Sequence, residues 1–580
     1  MTLFSEDAIR ILEKRYLLKD AAGKVMETPA EMLRRVARTV AGAEKNRAFW
    51  EEKFYNLMAG KRFLPNSPAL ANAGRGSGQL AACFVLPVPD SVEGIFETMK
   101  KAALIHKTGG GTGFSFSAIR PQGDSVASTG GVASGPLSFI TAFNCATDAV
   151  KQGGMRRGAN MAVLDYRHPD IFKFIGAKKG AGVLANFNLS VALDDKFMSA
   201  LIDGGSVALI NPRTGKPSGR VAAGKLFDAL VQAAWENGEP GVLFFDNINK
   251  ANAVPGLGPL KATNPCGEQP LFEYESCNLG SLNLAAYVSD KGSGFRDRIN
   301  WEELSHDIDV AVRFLDNVVD VNHYIFPEIE KITKGNRKIG LGVMGFADLL
   351  IEMGIPYASE EALELIDSLM GYINRKAREA SAKLAEEKGS FPNTDQSVYK
   401  GRKMRNATVT TIAPTGTLSM LVGVSSGIEP LFGLSYVKEV LGGRQFRITN
   451  ERFEEAARRR GFWSPELAEE VARQGSLSGI DNIPEDVRKV FVTAFEISPR
   501  WHVRIQAAFQ QHVDNAVSKT INFPTDAAPQ DIKEAYIQAW QQGCKGLTVY
   551  RAGSRENQVL KFAAKDREEE NFNRCQTCIE

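Results

Sequence analysis

Cysteine is scarce in this sequence. Seven among 580 residues, an odd number, are too few and too scattered for the disulfide framework of a secreted protein, so a reducing, cytoplasmic setting is expected. An excess of one charge is also missing. Against 70 Lys and Arg stand 68 Asp and Glu, a net charge of +2, and this balance excludes a dedicated DNA binder or membrane-surface protein. The longest uncharged stretch, Ser125 to Thr147, is broken by Gly, Ser, Thr and Pro136 and cannot span a bilayer. The opening MTLFSEDAIR puts acids where a signal peptide needs an apolar core. Six histidines show no His-x-His or HExxH spacing and only one Cys-x-x-Cys exists, so no metal site is expected.

What remains is an ordinary soluble composition, 43% hydrophobic and 24% charged, with enough apolar residues for a large core. The first sixty residues read as amphipathic helix, with Thr28 as a cap ahead of Pro29. A Gly-rich middle follows, KTGGGTGFSFSAIRP at 107–121 and GDSVASTGGVASGP at 123–136. Helical pattern then alternates with short apolar runs: VALIN at 207–211, GVLFFD at 241–246 and ATVTTIAP at 407–414. A long helix is expected at 359–388, capped by Ser359 and stopped by Gly389. This alternation implies an α/β sheet or barrel with largely parallel strands. Three parts are expected: a helical region at 1–60, an α/β body at 61–555, and a charged, flexible tail at 556–580 that ends in Cys575 and Cys578.

Two motifs invite chemistry. Gly340-Leu341-Gly342-Val343-Met344-Gly345 satisfies GxGxxG, but the preceding KGNRKI holds a single apolar residue where a buried strand should stand. The nearest acids, Glu360 and Glu361, sit at a helix start, so a dinucleotide site is not expected. The other motif is Asn264-Pro265-Cys266-Gly267-Glu268-Gln269, which gathers a thiol, a carboxylate and amides in a turn that presents side chains at a loop tip. Cys277 opens CNLGSLNL, whose alternation reads as a strand. A loop returning into that strand would bring Cys266 and Cys277 toward one cleft; spacing alone leaves shared thiol chemistry and inert cysteines equally open.

The segment NPCGEQPLFEYESCNLGSLNL resembles the active-site finger loop of ribonucleotide reductases, in particular their adenosylcobalamin-dependent class II. LPNSPALANAG at 64–74, the stretches at 83–123 and 144–171, RKIGLGVMGFADLL at 337–350, APTGTLSML at 413–421 and KGLTVYRAGSRENQVL at 545–560 agree in the family's order. The resemblance implies a ten-stranded α/β barrel, with GxGxxG as barrel strand and turn. It implies that Cys266 carries a thiyl radical and that Cys83 and Cys277 form a redox-active disulfide. Asn264 and Glu268 would handle the ribose hydroxyls, with Glu268 as general base. The substrate clamp would comprise Ser67, Ala82, Cys83, Gly111, Asn264, Glu268, Pro414, Thr415, Gly416, Thr417 and Leu418, where small residues such as Ser67, Gly111 and Gly416 let backbone N–H groups approach phosphate.

Within that family the radical source follows by exclusion. The oxygen-dependent class uses two adjacent tyrosines near the C-terminus, and LTVYRAGS offers only Tyr550. The anaerobic class needs a glycyl-radical motif, and QVLKFAAK has none. Adenosylcobalamin (vitamin B12) is therefore the implied cofactor, with no contacting residues assigned. The resemblance also implies a homodimer that binds a deoxynucleoside triphosphate effector near Asp148, Lys151 and Arg156. A thioredoxin-like protein would re-reduce it through a Cys575/Cys578 shuttle. The N-terminal region is expected to be too short for the cone domain that gives some members on/off control. A catalytically inactive, regulatory nucleotide-binding barrel is the alternative, opposed by the joint presence of Cys83, Cys266, Cys277, Asn264 and Glu268. A thiol–disulfide oxidoreductase acting through Cys575/Cys578 is opposed by that pair's place at the chain end, away from a helix start.

Overall fold

The computed structural model describes residues 3–76, 78–126, 130–150, 158–180, 182–289, 292, 294–440, 444–554 and 560–561. Its first layer is helical. Helix α1 (Glu6–Arg15) starts at Ser5, with Glu6 and Asp7 in its first turn and Lys14 and Arg15 in its last, so both ends complement the helix dipole. Helix α2 (Pro29–Ala41) opens on a capping box: Thr28 Oγ1 accepts from the Glu31 amide at 3.3 Å, and Glu31 accepts from the Thr28 amide at 2.7 Å. Helix α3 (Arg47–Ala59) completes the layer. Helices α4 (Ser67–Asn72), α5 (Val92–Lys107) and α6 (Pro136–Ala149) follow between strands.

Ten strands form the main sheet. In chain order they are β1 (Phe63–Pro65), β2 (Cys83–Val85), β3 (Gly111–Ser115), β4 (Asn160–Asp165), β5 (Phe187–Leu193), β6 (Gly241–Phe244), β7 (Glu275–Asn283), β8 (Ile339–Met344), β9 (Thr520–Phe523) and β10 (Gly546–Arg551). Ladders β7–β8, β2–β3, β3–β4, β4–β5, β5–β6 and β9–β10 are parallel. Those joining β1 and β2 to β7, and β6 to β10, are antiparallel. The sheet closes on itself. Leu341 of β8 bridges Thr410, and Ile412 bridges Val517 on the approach to β9, so the ATVTTIAP segment joins the two edges. The result is a ten-stranded α/β barrel. VALIN falls outside it, in a hairpin of Ser206–Ile210 with Pro217–Ala222.

β7 is the axis of this arrangement. Every one of its nine residues is buried, because it has barrel neighbours on both edges and helix α7 (Trp301–Val321) behind it. Phe63 of β1 and Phe54 of α3 both meet the Phe314 ring of α7 edge-on, at 5.5 and 5.1 Å. Gly280 makes room for this cluster, since a Cβ there would stand 2.4 Å from the Phe63 ring. Truncating Phe314 to Ala would cost about 3–5 kcal/mol, so the aromatic clip fixes the helical layer to the barrel. Helix α8 (Glu360–Lys388) runs from the Ser359 cap to Gly389 and packs on α7. The short helix α9 (Leu418–Val422) follows the APTGT turn. Among the described residues, no helix is long and apolar enough to cross a membrane.

The GxGxxG glycines belong to barrel packing. They lie on β8 and the turn after it. A Cβ on Gly340 would meet Thr411 at 2.6 Å and Gln269 at 2.9 Å, and one on Gly342 would meet the Thr411 carbonyl at 2.5 Å.

Candidate active site

The NPCGEQ turn is the tip of a small hairpin, Ala262–Thr263 paired with Pro270–Leu271. The tip is closed by its own polar groups. The Asn264 amide donates to the Gln269 carbonyl at 3.1 Å, and the Gln269 amide donates to Asn264 Oδ1 at 2.9 Å. Gly267 turns the chain with a φ of +83°, a region a side chain would strain. Cys266 is therefore held out and exposed, whereas Asn264 and Glu268 are buried, each 2% exposed.

The barrel wall grips the hairpin at several points. A Cβ on Gly113 would lie 1.7 Å from the Thr263 carbonyl oxygen, so only glycine permits that contact. Gly111 packs against Pro265 in the same way, at 2.9 Å. Asn188 Nδ2 donates to the Pro265 carbonyl at 2.8 Å. Opposite, the Ala516 amide and the Thr411 hydroxyl both donate to the Glu268 carbonyl at 2.9 Å.

Cys83 and Cys277 are register partners on β2 and β7, both buried and free thiols. Asn264 Nδ2 donates to Cys83 Sγ at 3.1 Å, tying the hairpin tip to that pair. Burial, then the Glu268 carboxylate, then the Cys277 and Cys266 sulfurs push the Cys83 thiol well above its usual range. Burial and the Glu275 carboxylate raise Cys277 likewise, against the pull of the Lys338 ammonium. Both thiols thus keep their protons at neutral pH. That suits groups that donate hydrogen and electrons rather than attack as thiolates.

Other residues of the expected clamp lie close by. The Gly111 amide donates to the Ala82 carbonyl at 2.8 Å, and the Ala82 amide to the Cys277 carbonyl at 3.3 Å. Ser67 opens α4, whose preceding residue donates its amide to the Leu279 carbonyl of β7 at 2.8 Å. Thr415 has a φ of +51° and its hydroxyl accepts from the Gly427 amide at 2.7 Å, which sets the turn from Pro414 through Gly416 and Thr417 to Leu418. Of the expected effector residues, Asp148 is exposed near the end of α6. Lys151 and Arg156, and the tail cysteines Cys575 and Cys578, lie outside the described residues.

A cavity of about 290 Å³ includes Cys266 in its wall, with Asn188, Pro414, Gln506 and Lys519 among its lining. Cys266 and Pro414 of its wall were legible in the sequence; Asn188, Gln506 and Lys519 were not. Gln506 and Lys519 are buried and lie far from the motif in sequence, so no local pattern marks them. The buried ion pair of Lys338 with Glu275, 2.9 Å apart, was missed for a similar reason. Only the fold places Lys338 beside β7, where its carbonyl accepts from Cys277 Sγ at 3.5 Å.

A ten-stranded α/β barrel whose wall holds a thiol-bearing hairpin against a buried cysteine pair defines a thiol-bearing α/β barrel class. The family model for the ribonucleotide reductase barrel domain matches residues 81–403 and 399–550, and that for the all-alpha domain matches residues 2–78. The chain belongs to the ribonucleotide reductase family. It is 49% identical over 564 residues to a vitamin B12-dependent ribonucleoside-diphosphate reductase of Mycobacterium tuberculosis, covering 96% of this chain and 79% of that protein. A Thermoplasma acidophilum protein of the same name is 47% identical over 617 residues, covering 96% of this chain and 80% of its own length. Among solved structures, the Actinobacillus ureae class Id ribonucleotide reductase alpha subunit superposes with a TM-score of 0.78. It is 24% identical, with 95% of this chain and 98% of that chain covered, and so supports the fold.

Proposed function

We propose that this chain reduces ribonucleoside diphosphates to 2′-deoxyribonucleotides for DNA precursor synthesis, with adenosylcobalamin as cofactor. The observation that carries the reading is the hairpin tip bearing Cys266, Asn264 and Glu268, tied to the register pair Cys83 and Cys277. The two relatives above bear that activity in their names.

In this reading Cys266, as a thiyl radical, takes hydrogen from C3′ of the ribose while Glu268 takes the 3′-hydroxyl proton. Loss of the 2′-hydroxyl as water then becomes feasible. Cys83 and Cys277 give up two protons and two electrons and are left as a disulfide. Glu268 returns the proton to O3′ and Cys266 returns the hydrogen to C3′, regenerating its radical, so one ribonucleotide becomes one deoxyribonucleotide and one water. Asn264 orients both the substrate and Cys83. The closeness of Asn264, Cys266 and Glu268 on one rigid tip holds the intermediate away from side reactions.

The cavity beside Cys266 fits the adenosyl portion of the cofactor. Its volume, about 290 Å³, is at the small-molecule scale. Gln506 lines it and donates Nε2 to the Gly546 carbonyl at 2.8 Å, while its buried Oε1 has no hydrogen-bond partner among the described residues. Asn188, Ser190, Gln506 and Lys519 would hold that group. When bound, adenosylcobalamin supplies the homolytic Co–C cleavage that generates the radical at Cys266.

A second copy of the chain is the proposed occupant of the outer face of α5. Val92 and Phe96, one turn apart, are 66% and 54% exposed, and Leu104 adds to the same helix. The adjoining α6, with Asp148, and the segment bearing Lys151 and Arg156 would form the deoxynucleoside triphosphate site. A cytoplasmic location and a thioredoxin-like reductant working through Cys575 and Cys578 complete the proposal. The proposed parts are a helical region at 1–60, a catalytic barrel at 61–555 and a redox tail at 556–580.

The test is anaerobic incubation with adenosylcobalamin, a ribonucleoside diphosphate and a small dithiol, with deoxynucleotide measured by chromatography. Product formation that requires all three is expected. For the tail, the Cys575→Ala/Cys578→Ala enzyme should cycle with a small dithiol and stall with thioredoxin as its only reductant.

A further inference from the structure

The proposed phosphate clamp, Ser67 together with residues 414–418, contains no cation, although a nucleoside diphosphate would bring a multiply charged pyrophosphate tail to it. The structure supplies one from the first helix. Arg15, the last residue of α1, donates Nη1 to Thr417 Oγ1 at 3.0 Å across 402 residues of sequence. Its neighbour Tyr16 shares a hydrogen bond with Ser67, the two hydroxyl oxygens 2.8 Å apart. Adjacent residues of one helix end therefore touch both arms of the clamp.

This helix end is fixed from behind. Tyr16 is 2% exposed, and its carbonyl accepts from Arg75 Nη2 at 2.8 Å and from Arg35 Nη2 at 3.4 Å. Arg35 is itself held by Glu27 at 2.7 Å. Several arginines withdrawn from solvent are neutralised by acids. Arg337, Arg313 and Arg62 each meet carboxylates. Arg15 is half-buried, and among the described residues it meets no acid. Thr417 engages one of its five N–H groups, leaving a planar fork of donors suited to phosphate oxygens.

We propose that Arg15 is a substrate-binding residue whose guanidinium receives the terminal phosphate of the nucleoside diphosphate, steered by Thr417, while Tyr16 orients the Ser67 hydroxyl toward the same group. The inference rests on reading Ser67 and residues 414–418 as the clamp. It makes the N-terminal helical layer part of the substrate site. It also gives that site a preference for substrates that carry a second phosphate.

The experiment measures CDP and CMP binding by calorimetry on the full chain, with steady-state kinetics alongside, for Arg15→Gln, Arg15→Lys, Tyr16→Phe, Ser67→Ala and Thr417→Ala. Losing a charge-assisted hydrogen bond should weaken CDP binding in Arg15→Gln by about 10- to 100-fold. CMP should lose less, KM should rise with kcat within threefold, and Arg15→Lys should recover part of the affinity. Far-ultraviolet circular dichroism identifies a variant that has not folded, and Arg15→Lys, which keeps the charge and the aliphatic stem, then provides the comparison. If Ser67→Ala and Thr417→Ala weaken CDP binding while both Arg15 variants bind within twofold of the parent, Arg15 has no such role and the clamp stands. If none of the five variants alters CDP binding, the clamp reading falls and the Arg15 role falls with it.

Discussion

Cys83 and Cys277 stand directly opposite each other on antiparallel strands β2 and β7. Partners in such a ladder hold their Cα atoms about 4.5–5.5 Å apart, inside the window of about 4.4–6.8 Å that a disulfide spans. The bond can therefore form by side-chain rotation, with the barrel backbone in place. Pre-reduced Cys575→Ala/Cys578→Ala enzyme freed of dithiol should convert about one equivalent of substrate, the stoichiometry of the one pair left. Peptide mapping should then find Cys83 joined to Cys277. Continued turnover with both thiols still free would remove the pair from the reaction.

The contact between Gly113 and Thr263 sets the position of the reactive tip. Gly113→Ala would drive a Cβ to within 1.7 Å of the Thr263 oxygen, so the hairpin must shift. A displacement near 1 Å at a reacting centre costs roughly 100-fold. We expect kcat to fall by at least that factor with helical content preserved, as circular dichroism and steady-state kinetics would report. A kcat within threefold of the parent would mean the hairpin tolerates movement.

How much of this was legible in the sequence depended on whether the signal was local. Thr28-Pro29, Ser359 and Gly389 mark helix ends through groups a few residues apart, and the structure uses each of them as read. The NPCGEQ turn was readable because Pro and Gly punctuate it. The apolar residues of 407–414 were visible, but not that they would link strands by isolated bridges and close the barrel. Arg15 and Lys338 were illegible for a plainer reason. Each looks like an ordinary surface cation until the fold sets it beside Thr417 or Glu275.

His106 gives the protein an acid-sensitive point. It is buried, with Nε2 2.8 Å from the Thr112 hydroxyl, and that hydroxyl donates to Asn160 at 2.6 Å. Burial depresses its pKa from the usual 6.5 to about 4. The folded state therefore keeps His106 neutral while the unfolded chain protonates, so stability is full above pH 6.5 and falls between pH 6.5 and 4. The loss should approach about 3 kcal/mol from this group. Urea midpoints measured from pH 7.5 to 4.5 should decline, and the decline should be shallower in His106→Gln. Identical slopes would assign the acid sensitivity elsewhere.

Glu268 lies buried on the hairpin tip, its own carbonyl pinned by Thr411 and Ala516. Glu268→Gln preserves shape and removes the proposed base. Turnover should fall by roughly 10²–10⁴, the contribution expected of a positioned general base. Single-turnover rates measured with substrate at saturation would show it, and a rate within threefold of the parent would remove the role.

Cys266 is proposed to carry the radical and cobalamin to initiate it. The most direct measurement is deoxycytidine diphosphate formed from CDP under anaerobic conditions with dithiothreitol, comparing the parent and Cys266→Ser, each with and without adenosylcobalamin. Product is expected only from the parent and only with the cofactor, with CDP affinity within a few-fold between the two proteins. Product above background from Cys266→Ser, or from the parent without adenosylcobalamin, would contradict that expectation.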